Sequence, residues 1–308
     1  MINIFGDYIY AVISAIFWAT SASIIGAGLS DNFKDKDKVY IKVLLAITIA
    51  STSGALTLIF VLIFLNIEFS AEFNYWIILA GVFTYPIATG LYYLSSTKLG
   101  NQAEIVSLFV KAKPLFSIPI AFLLFQETIL FHSVLALALI GIGIYFLIKG
   151  VREQQYTIYG VLYGLATSLS WATGEFFVKA GFNQSEAIQQ SLYALICGIV
   201  FCSIFLIAYS SAKNIKTTKI KLNSYWAFAL HGMLSFGIAY TSFFYSITTI
   251  GIVRSLLATA FWPILALIIS SIANKLAKNQ KTISKEIWVA GIILCCASTI
   301  EILQISID

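Results

Sequence analysis

Between positions 8 and 305 the chain alternates apolar stretches of about 20 residues with short polar breaks, and this alternation limits the fold more than any other feature. A helix of that length crosses the hydrocarbon of a bilayer. Water is absent there, so each stretch must satisfy its own backbone N–H and C=O groups, which a helix does. Ten such stretches are predicted, at 8–29, 43–65, 75–97, 103–125 and 133–148, then 158–180, 187–209, 225–247, 252–273 and 287–305. The expected fold is an all-α integral membrane protein with ten transmembrane helices. Composition agrees, because only 11% of the residues are charged. A soluble domain carries roughly 25%, so lipid must cover the surface that charge would otherwise keep wet.

The first stretch is long enough to span and has no basic segment before it, so it reads as a first helix rather than a signal peptide. The net charge of +5 does not point to nucleic acid, since no run of Lys and Arg is interleaved with aromatic residues. Cys197, Cys202, Cys295 and Cys296 all lie within apolar stretches and have no ligand spacing with the two histidines. They read as packing residues, and no metal or other cofactor is expected.

The sequence reads as a duplication. Trp18-Ala19-Thr20 with Ala27-Gly28 in the first stretch is matched by Trp171-Ala172-Thr173 with Ala180-Gly181 in the sixth. Tyr75-Trp76 is matched by Tyr225-Trp226, Pro114 by Pro263, and Gly141 by Gly291. These pairs keep their order and nearly constant offset, which divides the chain into repeats at 1–150 and 151–308. Loop charge orients them. Lys34, Lys36, Lys38 and Lys42 follow the first stretch, whereas 183–186, after the sixth, holds no cation. Conversely 66–74 holds none, while its counterpart holds Lys213, Lys216, Lys219 and Lys221. The loop at Glu127 holds none, and its counterpart holds Lys275, Lys278, Lys281 and Lys285. Basic loops face the cytoplasm, so matching loops lie on opposite sides and the repeats are inverted. The same rule places both termini outside.

Trp18-Ala19-Thr20, Pro114 followed by Phe125-Gln126-Glu127-Thr128, and Gly141-Ile142-Gly143 resemble the drug/metabolite transporter superfamily of the ten-helix EamA-like type. The second half repeats the tryptophan motif and carries Trp262-Pro263, but Asn274-Lys275 stand where the family has an acidic residue. The resemblance implies a basket of two five-helix repeats around a central cavity, with alternating access. It also implies termini in the cytoplasm, against the loop charges. Small multidrug members of the superfamily depend on a glutamate in their first helix, and here the first stretch has no acid beyond Asp7.

An ionisable side chain at membrane depth costs about 2.5–3.5 kcal/mol on insertion scales and so marks a pathway or a pair. Lys111 and Lys113 stand mid-stretch just before Pro114. Two residues apart is about 200° of helix, so both reach one cavity only if Pro114 breaks the helix. Glu175 and Lys179 are spaced for an intrahelical pair, or for Glu175 to serve Lys111 or Lys113 or to take up a coupling proton. Trp18, Trp171, Tyr92, Tyr240 and Trp262 are the aromatic candidates for contacting substrate, packing being the alternative. Pro86, Pro114 and Pro263 mark helix breaks of the kind tolerated along a cavity. Arg254 reads as snorkelling to the interface, His231 as packing, and Glu127 as a cap or loop anchor.

The sequence has no P-loop, Gly-x-Ser-x-Gly or His-Glu-x-x-His motif and no pair of intramembrane aspartates. The expectation is therefore not an enzyme but a secondary transporter in the cell membrane, the inner membrane of a bacterium. Its partners would be a small-molecule substrate and the lipid bilayer, with a proton as candidate coupling ion. The excess of deep lysines favours an amino acid, organic acid or other anionic or zwitterionic solute. The competing readings are an exporter of drugs or apolar aromatic compounds, and a lipid-handling membrane protein.

Overall fold

The computed structural model describes residues 2–30, 38–68, 72–154, 157–213, 220–276 and 283–304. These residues form ten helical runs and no strand. The first five are α1 (Ile2–Ser30), α2 (Val39–Phe64), α3 (Tyr75–Lys98), α4 (Ala103–Phe125) and α5 (Phe131–Glu153). The second five are α6 (Ile158–Gly181), α7 (Ala187–Ala212), α8 (Leu222–Ile250), α9 (Ile252–Leu276) and α10 (Lys285–Gln304). Among the described residues, eight runs are long and apolar enough to cross a membrane. Helix α6 is not one of the eight: Thr167, Ser168, Ser170, Glu175 and Lys179 make it polar, and all but Lys179 are buried against neighbouring helices. Helix α5 outruns its predicted apolar stretch, continuing through Lys149 and Arg152 to Glu153.

Four runs are interrupted. Helix α3 widens into a π-turn at Phe83–Ala88, around Pro86. Proline has no N–H and its ring crowds the preceding turn, so the wider turn relieves both faults. Helix α8 has a π-turn at Gly232–Ala239 without a proline. Helix α4 tightens to a 3₁₀ turn at Val110–Ala112, just before Pro114. In α9 the helix stops over 259–261 and resumes at Trp262, just before Pro263.

The packing pairs helices from the first five runs with helices from the second five. Helix α1 lies on α8 and α9, and α6 lies on α3 and α4; α2 meets α7, and α5 meets α10. Small residues set two further crossings, of α3 on α7 and of α2 on α8. A Cβ on Gly81 would fall on the backbone of Ala194, and a Cβ on Gly232 on the backbone of Ala50. Only glycine permits so close an approach between membrane helices. Apolar side chains such as Phe60, Phe64, Leu123 and Phe131 point outward, as a lipid-facing surface requires.

The runs alternate in direction, and their ends collect accordingly. At one end, Thr157 donates to the Lys98 carbonyl at 3.5 Å, and the Tyr40 ring lies 6.2 Å from Tyr209. At the other, Asn74 donates to Gly181 O at 3.0 Å, Gln189 to Glu68 O at 2.6 Å, and Gln184 to Tyr245 Oη at 3.3 Å. Lys38, Lys213, Lys221, Lys275 and Lys285 belong to the first end and Glu68, Glu72, Glu127 and Glu186 to the second. Lys34, Lys36, Lys216, Lys219, Lys278 and Lys281 lie outside the described residues.

Candidate functional site

The interrupted helices meet α1 and α6 around a small central cavity of about 30 Å³. Trp18, Tyr92, Lys113, Trp171, Tyr240 and Trp262 line it, together with His231, Ser21, Thr89 and Ser235. None of these ten side chains belongs to a residue more than 8% exposed, so the cavity lies deep in the bundle.

Aromatic rings form most of its surface. The Tyr240 ring lies 5.1 Å from Trp18 and 6.1 Å from Trp171, which puts it between the two repeated tryptophans. Trp262 lies 6.1 Å from Trp18, and Tyr92 5.7 Å from Trp171. Tyr92 spends its hydroxyl on the Ala103 carbonyl at 2.9 Å, so it offers the cavity a ring rather than a free donor.

The two mid-helix lysines diverge. Lys113 forms a buried ion pair with Glu175, whose other oxygen accepts from Ser117 at 3.0 Å. The Lys113 ammonium also lies 5.5 Å over Trp18 and 4.6 Å over Phe243, favourable for a cation on the negative face of a ring. Lys111 lies behind the cavity lining. Its ammonium donates at 2.6 Å to the carbonyl of Thr259, which stands where α9 is broken and also accepts from Trp262 N at 3.3 Å. The tight turn at 110–112 lets the two side chains leave in different directions, one into the cavity and one into the broken helix.

The four-residue spacing of Glu175 and Lys179 suggested an intrahelical pair, and that pairing is corrected. Glu175 turns inward to Lys113, and Lys179 approaches Glu127 at 3.7 Å. Depth decides it: Glu175 is 3% exposed and needs a partner at the same depth, whereas Lys179 lies near the helix end and reaches a half-buried carboxylate there. Glu127 also accepts from Ile252 N at 2.9 Å and Val253 N at 3.0 Å, so it caps the first turn of α9 from across the bundle. Gly251, at φ +89°, sits directly under that carboxylate; a Cβ there would be 2.9 Å from it. Arg254 is exposed.

Pro86, Pro114 and Pro263 stand at three of the four interruptions and behind the lining. His231 reads from sequence as a packing residue, and the structure buries it. It lines the cavity and its Nδ1 bonds the Ser21 hydroxyl. The available signal was its position beside the Gly232 crossing in α8. Among the described residues, no three His, Cys, Asp or Glu side chains come together in a way that would hold a metal ion.

Residues 158–303 match the model of the EamA-like transporter family. The chain is 22% identical over 218 residues to the uncharacterized transporter YoaV of Bacillus subtilis (strain 168), a match covering 70% of this chain and 68% of that one. A solved crystal structure shares the fold with a TM-score of 0.65 at 14% identity, over 97% of this chain and 98% of the other. These matches and the apolar helices point to a multi-pass membrane transporter rather than to any catalytic family. The second half of the chain thus resembles the EamA-like transporter family, and the two matches support a place in the drug/metabolite transporter superfamily.

Proposed function

We propose that this protein is a secondary transporter that moves a small anionic or zwitterionic metabolite across the cell membrane by alternating access. The observation that carries the reading is the buried cavity among the four interrupted helices, with the Lys113–Glu175 pair at its wall. A substrate carboxylate or phosphate near Lys113 meets a cation held at membrane depth by one carboxylate, and no hydrated surface competes for it.

In this reading the ten helical runs are ten spans, grouped as inverted five-helix repeats at 1–150 and 151–308. Support comes from the matched interruptions in α3 and α8 and in α4 and α9, and from the matched crossings at Gly81 and Gly232. Two such repeats supply two equivalent openings, one to each side, around a fixed central site. The basic end faces the cytoplasm, which leaves both termini outside. Conformational energy comes from the substrate gradient, exchange or a coupled ion, with Glu175 as the candidate proton acceptor.

The aromatic lining favours one alternative, export of apolar aromatic compounds, in which the tryptophans do the recognition and the ion pair only holds helices together. Counterflow in proteoliposomes separates the two. Liposomes loaded in turn with amino acids, organic acids, sugar phosphates and cationic aromatic drugs should exchange with at least one anionic or zwitterionic solute. Exchange of cationic or uncharged aromatics alone would establish the alternative.

A further inference from the structure

We infer that Trp18 Nε1 and His231 Nε2 together receive the carboxylate of the transported solute, an inference that rests on the transporter reading and narrows its substrate class. Both nitrogens are buried at the cavity, and neither has a hydrogen-bond partner among the described residues. Such groups are costly unless something completes them, and here the open side is the cavity.

The chemistry of each atom is set by its neighbours. An indole nitrogen only donates. The Trp18 ring is held between Tyr240, Phe243 and Trp262, with centroids 5.1, 5.0 and 6.1 Å away, so its N–H keeps its direction. Its repeat mate makes the contrast: Trp171 Nε1 donates to the Thr84 carbonyl at 3.0 Å and is already satisfied. His231 is assigned through Ser21. The Ser21 hydroxyl bonds Nδ1, and the form that receives the carboxylate is the one in which Ser21 donates that bond. A neutral imidazole that accepts at Nδ1 carries its proton on Nε2, which makes Nε2 a second donor.

The two donors belong together. Trp18 and Ser21 are three residues apart on α1 and so share a face, one turn from each other. Ser21 holds His231, which therefore lies one turn along the same wall. Two neutral N–H donors match the two oxygens of a carboxylate. Lys113 adds positive charge, but Glu175 already neutralises most of it. That balance suits a monoanion attached to an apolar body that can lie against Trp171 and Tyr240. It does not suit a phosphate dianion, which would require further cations.

The test uses the full chain in nanodiscs and titration calorimetry with phenylacetate, 4-methylpentanoate, phenylalanine, phenyl phosphate and phenethylammonium as probes. At least one carboxylate should bind, about tenfold or more tighter than phenyl phosphate and phenethylammonium. Trp18→Phe keeps the ring and removes the donor, and His231→Leu removes the other. Each should weaken the carboxylate about tenfold or more, while Thr20→Val, which loses only a bond to its own helix, should not. Trp18→Phe decides the matter should His231→Leu fail to fold. Carboxylate affinity unchanged in Trp18→Phe, or no carboxylate binding at all, overturns the inference. Counterflow run in parallel keeps the two readings apart: carboxylate exchange with unaltered Trp18→Phe sinks only this inference, whereas no exchange of any solute sinks the transporter reading.

Discussion

Removing both members of the Lys113–Glu175 pair should destabilise the protein by much less than the two single removals added together. The two side chains are 5% and 4% exposed, so neither has water to fall back on. Breaking a buried pair from one side costs about 3–5 kcal/mol, because a charge is left without compensation. Glu175→Gln should sit at the low end, since Lys113 keeps the faces of Trp18 and Phe243. Lys113→Met should sit at the high end, since Glu175 keeps only the Ser117 hydroxyl. The double variant removes both charges and should lose less than the sum by about 2–4 kcal/mol. Unfolding in mixed micelles, followed by circular dichroism across the four-protein cycle, measures this coupling. Losses that add to within about 0.5 kcal/mol would show that the two groups act independently and would refute the pair as an energetic unit.

Further outcomes are expected elsewhere. Gly232→Ala and Gly81→Ala should each cost about 1–3 kcal/mol, because the added methyl meets a backbone carbonyl, whereas Gly141→Ala, with open space around it, should cost nothing in the same unfolding assay. Glu127→Gln should weaken the cap on α9, so amide exchange at Ile252 and Val253 should accelerate about tenfold or more. Cysteines placed near Lys38 and Lys221 should resist an impermeant reagent added outside intact cells, while one at Asn183 should react; the reverse pattern would invert the orientation.

Much of this architecture was legible in the sequence because membrane helices declare themselves by length and apolarity, and every run begins or ends within about three residues of a predicted apolar boundary. The repeated Trp18 and Trp171 and the paired Pro114 and Pro263 likewise fall at matching places along their helices. What stayed hidden depends on depth and direction rather than on residue type. The π-turn of α8 carries no proline, so Gly232 and Gly237 were its only traces. Lys111 and Lys113 looked equivalent in sequence, and only the tight turn between them sends one to Thr259 and the other to Glu175. Spacing alone proposed Glu175 with Lys179, because it cannot register a partner on another helix. The place of His231 on the cavity wall was hidden because its partner, Ser21, is 210 positions away.

Alternating access around the central cavity is tested most directly at Ser235, a small buried side chain on the cavity wall. In a background with Cys197, Cys202, Cys295 and Cys296 replaced, Ser235→Cys should react with a membrane-impermeant thiol reagent in right-side-out vesicles and also in inside-out vesicles. A transported solute should change both rates, since it redistributes the protein between its two open forms. Reaction from one face only, at a rate that no transported solute alters, would mean that the cavity has a single entrance and would contradict the account.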